Sequence, residues 1–307
     1  MTALPPELSG ASLGSGPPET LALGTLGARR DWARVRVTIR RLLRSVTFLA
    51  GATILLFWIV CAIFGHQIAP YSPTAISYVA TNAAPSAAHW FGTDQDGRDV
   101  LSRVIVGSRD ILEITPLATL LGTAVGTALG LVMGYLGGIF DLVLGRAVDA
   151  VLAIPLVIVA FMLVVALGPS TLTLVVVIGM VFAPLIARTV RAAVLGERDL
   201  EYVATARLRG EKAPYIMFRE ILPNVFGAVL VEFTVRLGYA VFTLATLSYL
   251  GFGVQPPTPD WGSDISAAYI GLVSGYWWQT LFPALAIASL IVGVNLVSDG
   301  LEAVLGS

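Results

Sequence analysis

The amino-acid sequence predicts an all-α integral membrane protein with six transmembrane helices, and three observations carry that expectation. Its 307 residues are 56% hydrophobic and only 13% charged, with a mean hydropathy of +0.82, about half the charge of a soluble domain. Its apolar stretches are long enough to cross roughly 30 Å of hydrocarbon, which takes about 20 helical residues. Its basic residues are unevenly shared between the connections. The formal net charge of -1 implies no nucleic-acid partner. One cysteine, Cys61, excludes an intrachain disulfide. Two histidines, His66 and His89, are too few for a His/Cys metal site.

Residues 1–28 are rich in Gly, Pro, Ser, Ala and Leu without periodicity, so a disordered cytoplasmic tail is expected. Over 29–44, Trp32, Val35, Ile39 and Leu42 recur at helical spacing among Arg30, Arg34, Arg40, Arg41 and Arg44. That pattern predicts an amphipathic helix lying along the inner membrane surface, its arginines on lipid headgroups. The transmembrane domain occupies 45–307, and its first span is Ser45 to Gly65. A first apolar run beginning so far in, with no small-residue cleavage site after it, predicts no signal peptide.

An outer loop, 66–113, follows. Within it Val100, Leu101, Val104, Ile105, Ile111 and Leu112 repeat at helical spacing after a Thr93-Asp94 cap, predicting a helix on or near the outer face. Asp94, Asp96 and Asp99 lack the ligand order of a calcium loop, so no metal site is expected. The second span is Ile114 to Phe140. Along it Gly122, Gly126, Gly130 and Gly134 form one face, where a second helix of this chain or another can approach closely. The charge-free interval from Asp149 to Arg188 is divided by Gly168-Pro169-Ser170, giving a third span, Ala150 to Leu167, and a fourth, Thr171 to Ala187. The fifth, Asn224 to Gly251, is apolar except for Glu232 and Arg236. The sixth is Gln279 to Ser298.

With the N-terminus inside, inner segments carry fifteen basic residues and outer loops only Arg98, Arg103 and Arg109, which places both termini in the cytoplasm. Trp90 and Phe91, and Tyr276 to Trp278, then stand at outer ends as interfacial aromatic residues do. Glu232 and Arg236, four residues apart, share one helix face near mid-membrane. Charges there face a bundle interior or a watery path, or neutralise one another as a structural pair.

The inner loop, 188–222, is longer than a connector requires and reads as a docking surface. Its stretch Glu201-Tyr202-Val203-Ala204-Thr205-Ala206-Arg207-Leu208-Arg209-Gly210, followed by Ile221-Leu222-Pro223-Asn224, resembles the coupling loop of ABC-type importer permeases. Ala204-Thr205-Ala206 stands at that loop's Glu-Ala-Ala positions, Gly210 at its glycine and Pro223 at its terminal proline, with Ala204 replacing the acidic residue. Phe91 to Arg103, Leu247 to Gly262 and Asn295 to Leu301 look like the signatures of the C-type subunit in the dipeptide/oligopeptide/nickel permeases. Leu244 departs from that pattern, since relatives often carry Glu there.

The resemblance implies the type I ABC importer fold, a bacterial cytoplasmic (inner) membrane location and no catalytic residue. It also implies a second, B-type permease subunit, two cytoplasmic ATPases or one fused ATPase, and an extracytoplasmic substrate-binding protein. The sequence holds no Gly-x4-Gly-Lys-Ser/Thr, and its one lysine, Lys212, follows Arg209-Gly210-Glu211. This chain therefore binds no cofactor, and ATP and magnesium belong to partner ATPases. The expected cargo is a di- or oligopeptide, with nickel or another small chelate as the alternative. A secondary transporter coupled through Glu232 and Arg236 would call for inverted repeats, which are not evident.

Overall fold

A computed structural model describes residues 40–305. The tail expected over 1–28, and most of the interfacial helix expected over 29–44, lie outside the described residues. Contacts divide the chain into residues 1–41 and 42–307, and the second unit is the one described below.

Ser45 opens α1, Val46–Ile68, by accepting a hydrogen bond from the Phe48 amide at 3.3 Å. Asp99 opens α2, Val100–Leu136, in the same way through the Ser102 amide at 2.8 Å. This 37-residue helix is about 55 Å long. It absorbs both the helix expected on the outer face and the second span, so the outer loop is 69–99 and not 66–113. The helix runs unbroken through Arg109, Asp110 and Glu113, so these charges do not end it. Pro116 leaves one backbone bond unmade, and α2 continues through it.

A second correction concerns the third span. Residues 138–167 form two helices, α3, Gly138–Leu152, and α4, Leu156–Leu167, bent by 88°. Pro155, at the break, offers no amide and disfavours helical geometry in Ile154. With 12 residues, α4 is about 18 Å long, too short to cross alone. Only taken together are the two long and apolar enough to cross. Next, α5, Thr171–Glu197, is capped by Ser170 on the Thr173 amide at 3.1 Å and runs past the expected end at Ala187.

The inner loop is also more helical than 188–222 implied. It contains α6, Glu201–Leu208, then a turn at Ala213–Tyr215 and a π-helical stretch, Ile216–Ile221, that leads directly into α7, Leu222–Tyr249. Outside, α8, Trp261–Ala268, is capped by Asp260, and α9, Trp278–Leu305, completes the domain. Counting the bent pair once, six segments among the described residues are long and apolar enough to span a membrane.

The α2–α5 pair is the centre of the domain. A Cβ placed on Gly122 would lie 2.6 Å from the Gly179 carbonyl oxygen, and one on Gly126 2.7 Å from that of Ala183. On Gly130 and Gly134 it would meet Val190 and Val194 at 2.7 Å. The glycine face is thus filled by α5 of the same chain, at a separation only missing side chains permit. Ile114, Ala118, Leu131, Ile178, Ile186 and Val190 are fully buried around it. On the flank α1 meets α9 through Gly51 and Gly293, and α7 meets α9 through Gly238, the Asn295 side chain and a 2.8 Å Thr234–Ser298 hydroxyl bond.

Outside the bundle, buried polar groups clasp the 69–99 loop. Arg103 holds Asp264 with two nitrogens and donates to the Pro73 carbonyl at 3.1 Å. Trp261 Nε1 donates to the Val104 carbonyl at 2.8 Å, and Trp278 Nε1 to that of Thr93 at 3.1 Å. Gln279 bridges Thr93 and Asn82. The two outer signatures therefore fold into one cap.

Candidate functional site

The inner loop is built as an exposed tip on buried anchors. On α6, Val203 and Ala206 are fully buried. Glu201, Ala204, Thr205 and Leu208 occupy the opposite, exposed face. Leu208 is 89% exposed, and beyond the turn Tyr215 and Phe218 are exposed too. Ile216, Met217 and Ile221 anchor the far side, while Pro223, in the first turn of α7, faces outward. Gly210, between the two halves, has φ +77° with open space where a side chain would stand. The turn needs a residue free to adopt that conformation.

Three tethers tie α6 to the membrane helices. Tyr202 donates its hydroxyl to Glu197 at the end of α5, at 2.7 Å. Burial, then the Glu197 carboxylate, pushes the Tyr202 phenol up to about 12. Arg207 lies over the Tyr135 ring at the end of α2, 5.1 Å from its centre, and Arg209 pairs with Glu220 of the π-helical stretch at 2.9 Å. These contacts join α6 to α2, to α5 and to the π-helical stretch that leads into α7.

Glu232 and Arg236 form an ion pair at 2.6 Å along α7, with Glu232 buried. The Arg236 guanidinium stands 5.5 Å from the centre of the Tyr239 ring. A cleft of about 340 Å³ opens beside α7 and α9, lined by Val235, Gly238, Tyr239 and Phe242 among others. The pair meets its rim through Tyr239. Leu244 is fully buried.

Two family matches bear on this arrangement. The family described as "Binding-protein-dependent transport system inner membrane component" matches residues 126–307, and "N-terminal TM domain of oligopeptide transport permease C" matches residues 34–85. The chain belongs to the binding-protein-dependent transport permeases. This permease is 36% identical over 263 residues to the dipeptide transport system permease protein DppC of Bacillus subtilis strain 168, covering 86% of this chain and 82% of that one. It is 36% identical over 264 residues to the glutathione transport system permease protein GsiD of Escherichia coli O157:H7, covering 86% and 87%. In fold it is similar to the MetNI methionine ABC transporter in inward-facing conformation, with a TM-score of 0.53 and 21% identity over 66% of this chain and 96% of that one.

The exposed trio Leu208, Tyr215 and Phe218 was not singled out in the permease sequence, because apolar residues there read as ordinary helix periodicity. Only the burial of Val203, Ala206 and Ile216 on the other side shows that, among the described residues, these three have nothing to cover them. The outer cap carries its own unusual group. Asp260 is fully buried between Ser248, whose hydroxyl donates at 3.2 Å, and the Ser263 amide. Burial raises its carboxyl to about 6, with nearby Asp264 adding to the rise. Asp264 is also raised by burial, against the pull of Arg103.

Proposed function

We propose that this chain is the C-type permease subunit of an ATP-driven importer of di- or oligopeptides. It forms half of the translocation pathway with a B-type permease, has both termini in the cytoplasm, and receives cargo from an extracytoplasmic binding protein. ATP and magnesium act on two cytoplasmic ATPases, or one fused ATPase, docked on the 201–223 loop. The single observation carrying this reading is the uncovered apolar tip of Leu208, Tyr215 and Phe218 held on buried anchors. A surface of this kind marks a protein interface.

Closure of the ATPases would push on α6, and its tethers to Glu197, Tyr135 and Glu220 would tilt three spans as one body, opening the shared cavity outward. Peptide cargo is favoured over a metal chelate by relatives named for dipeptide, glutathione and peptide transport. The test is reconstitution of the permease pair and its ATPases in liposomes, with binding protein loaded with a radiolabelled dipeptide. ATP-dependent accumulation is the expected result. ATPases that fail to copurify with the pair, or uptake that ignores ATP, would overturn the reading.

A further inference from the structure

Four membrane helices leave a gap at the level where the apolar part of α2 begins. The gap is a cavity of about 550 Å³ walled by Leu55 and Ile59 of α1, Leu112 of α2, Leu237 and Val241 of α7, and Leu290 of α9. Arg109 and Glu113 also line it, and the same two residues line an adjoining polar cavity of about 440 Å³ together with His66, Thr74 and Asp110. A polar hollow and an apolar hollow thus share a rim. Arg109 and Glu113 lie one helical turn apart on the exposed side of α2. The charge-free runs end at Gly65 on α1 and begin at Ile114 on α2, which puts the rim at the hydrocarbon boundary.

Among the described residues, Arg109, Asp110 and Glu113 make no ion pair within 4 Å and no side-chain hydrogen bond. Their pattern is one cation beside two anions, near enough for Asp110 to feel the charges of both neighbours, and it suits a ligand of opposite pattern. Beyond the Arg109–Glu113 rim, the cavity wall is apolar apart from Thr115. Thr115, on its wall, already gives its hydroxyl to the Ile111 carbonyl at 2.7 Å, so a peptide backbone inside would go unsatisfied. A hydrocarbon chain would not. The nearby exposed residues Ile59, Ile63, Leu117 and Leu120 are apolar as well.

We propose that the two hollows hold one zwitterionic phospholipid of the leaflet facing the N-terminal half of α2. Its phosphodiester lies on Arg109, its primary ammonium on Asp110 and Glu113, and one acyl chain fills the cavity between α1, α2, α7 and α9. This goes beyond the transport reading and holds whatever the cargo is.

The test uses the assembled transporter in nanodiscs containing phosphatidylethanolamine with a diazirine on its acyl chain, followed by photolysis and peptide mapping. Label is expected on 55–63, 109–116 and 237–241 in excess of that on Leu172, which is exposed and apolar elsewhere. Arg109→Gln combined with Glu113→Gln should lower that label about tenfold, as two exposed, solvent-screened ionic contacts are lost, and Arg109→Lys should retain most of it. The phosphatidylglycerol analogue, lacking the ammonium, should label the native protein as weakly as phosphatidylethanolamine labels the double variant. Equal labelling of native and double variant would overturn the proposal. So would displacement of the label by excess dialanine, which would make the hollow a peptide site, or protection of these segments by the second permease subunit, which would make it a subunit interface.

Discussion

Asp260 sits where its charge is unwelcome. Its carboxyl, raised to about 6 by burial, binds a proton more readily in the folded chain than in the unfolded one, where about 4 is usual. Between those values the native state holds more protons, so stability falls as pH rises from about 4 to 6 and stays lower above. The effect is on the order of 3 kcal/mol. Asp260→Asn keeps an acceptor for the Ser263 amide and removes the titration, so it should flatten this part of the pH dependence of thermal unfolding in detergent. An unchanged slope would place the ionisation elsewhere. Glu232 and Arg236 pose the opposite case, two charges that neutralise each other at 2.6 Å. Removing one from a buried pair typically costs about 3 to 5 kcal/mol, and removing both costs less. Glu232→Gln and Arg236→Gln should each destabilise the permease, and the double variant should recover part of the loss. Additive losses would show the two side chains to be uncoupled.

At the scale of elements, the α2–α5 contact leaves no spare volume. Gly130→Leu would put a branched side chain where even a Cβ lies 2.7 Å from Val190 and 2.8 Å from the Ala187 carbonyl oxygen. Side chains can rotate away, but that backbone oxygen cannot. The expected cost is about 3 kcal/mol or more, seen as loss of the monodisperse complex on size exclusion; a complex as stable as the parent would count against close packing. This contact was legible in the sequence because glycine at every fourth position has a geometric consequence on any helix. The partner was not legible, since a bare face fits any apolar neighbour and only the fold brings Gly179 and Val190 to it. Pro155 was passed over because the third span was bounded by charges, and charge locates hydrocarbon, not helix ends. The same reasoning split α2 at Glu113, where a helix crossing the boundary carries charges on its exposed side without stopping. The Glu232–Arg236 pair was legible from four-residue spacing alone, whereas the α6 tethers join residues far apart in sequence and needed the fold.

Across the whole molecule, the inner loop is the place where a local perturbation should have a remote effect. Gly210 is a poor probe of docking, because any side chain there must adopt φ +77°, and backbone strain would be confused with lost contact. Leu208 separates the two. It is 89% exposed, lies at the end of α6 opposite the buried Val203 and Ala206, and is absent from every tether that holds the helix. Leu208→Asp should therefore leave thermal stability within about 0.5 kcal/mol of the parent. In the docked state the same change would bury a charge against an apolar partner, costing about 3 kcal/mol or more and weakening association with the ATPases over a hundredfold. The measurements are ATPase copurification and ATP-dependent uptake of a labelled dipeptide, with Leu208→Met as the variant expected to retain both. If Leu208→Asp lowers uptake while the ATPases remain bound, the residue acts in transmission of the stroke and not in docking. If uptake and binding both persist, the ATPases seat elsewhere, and the uncovered tip must be assigned to another partner.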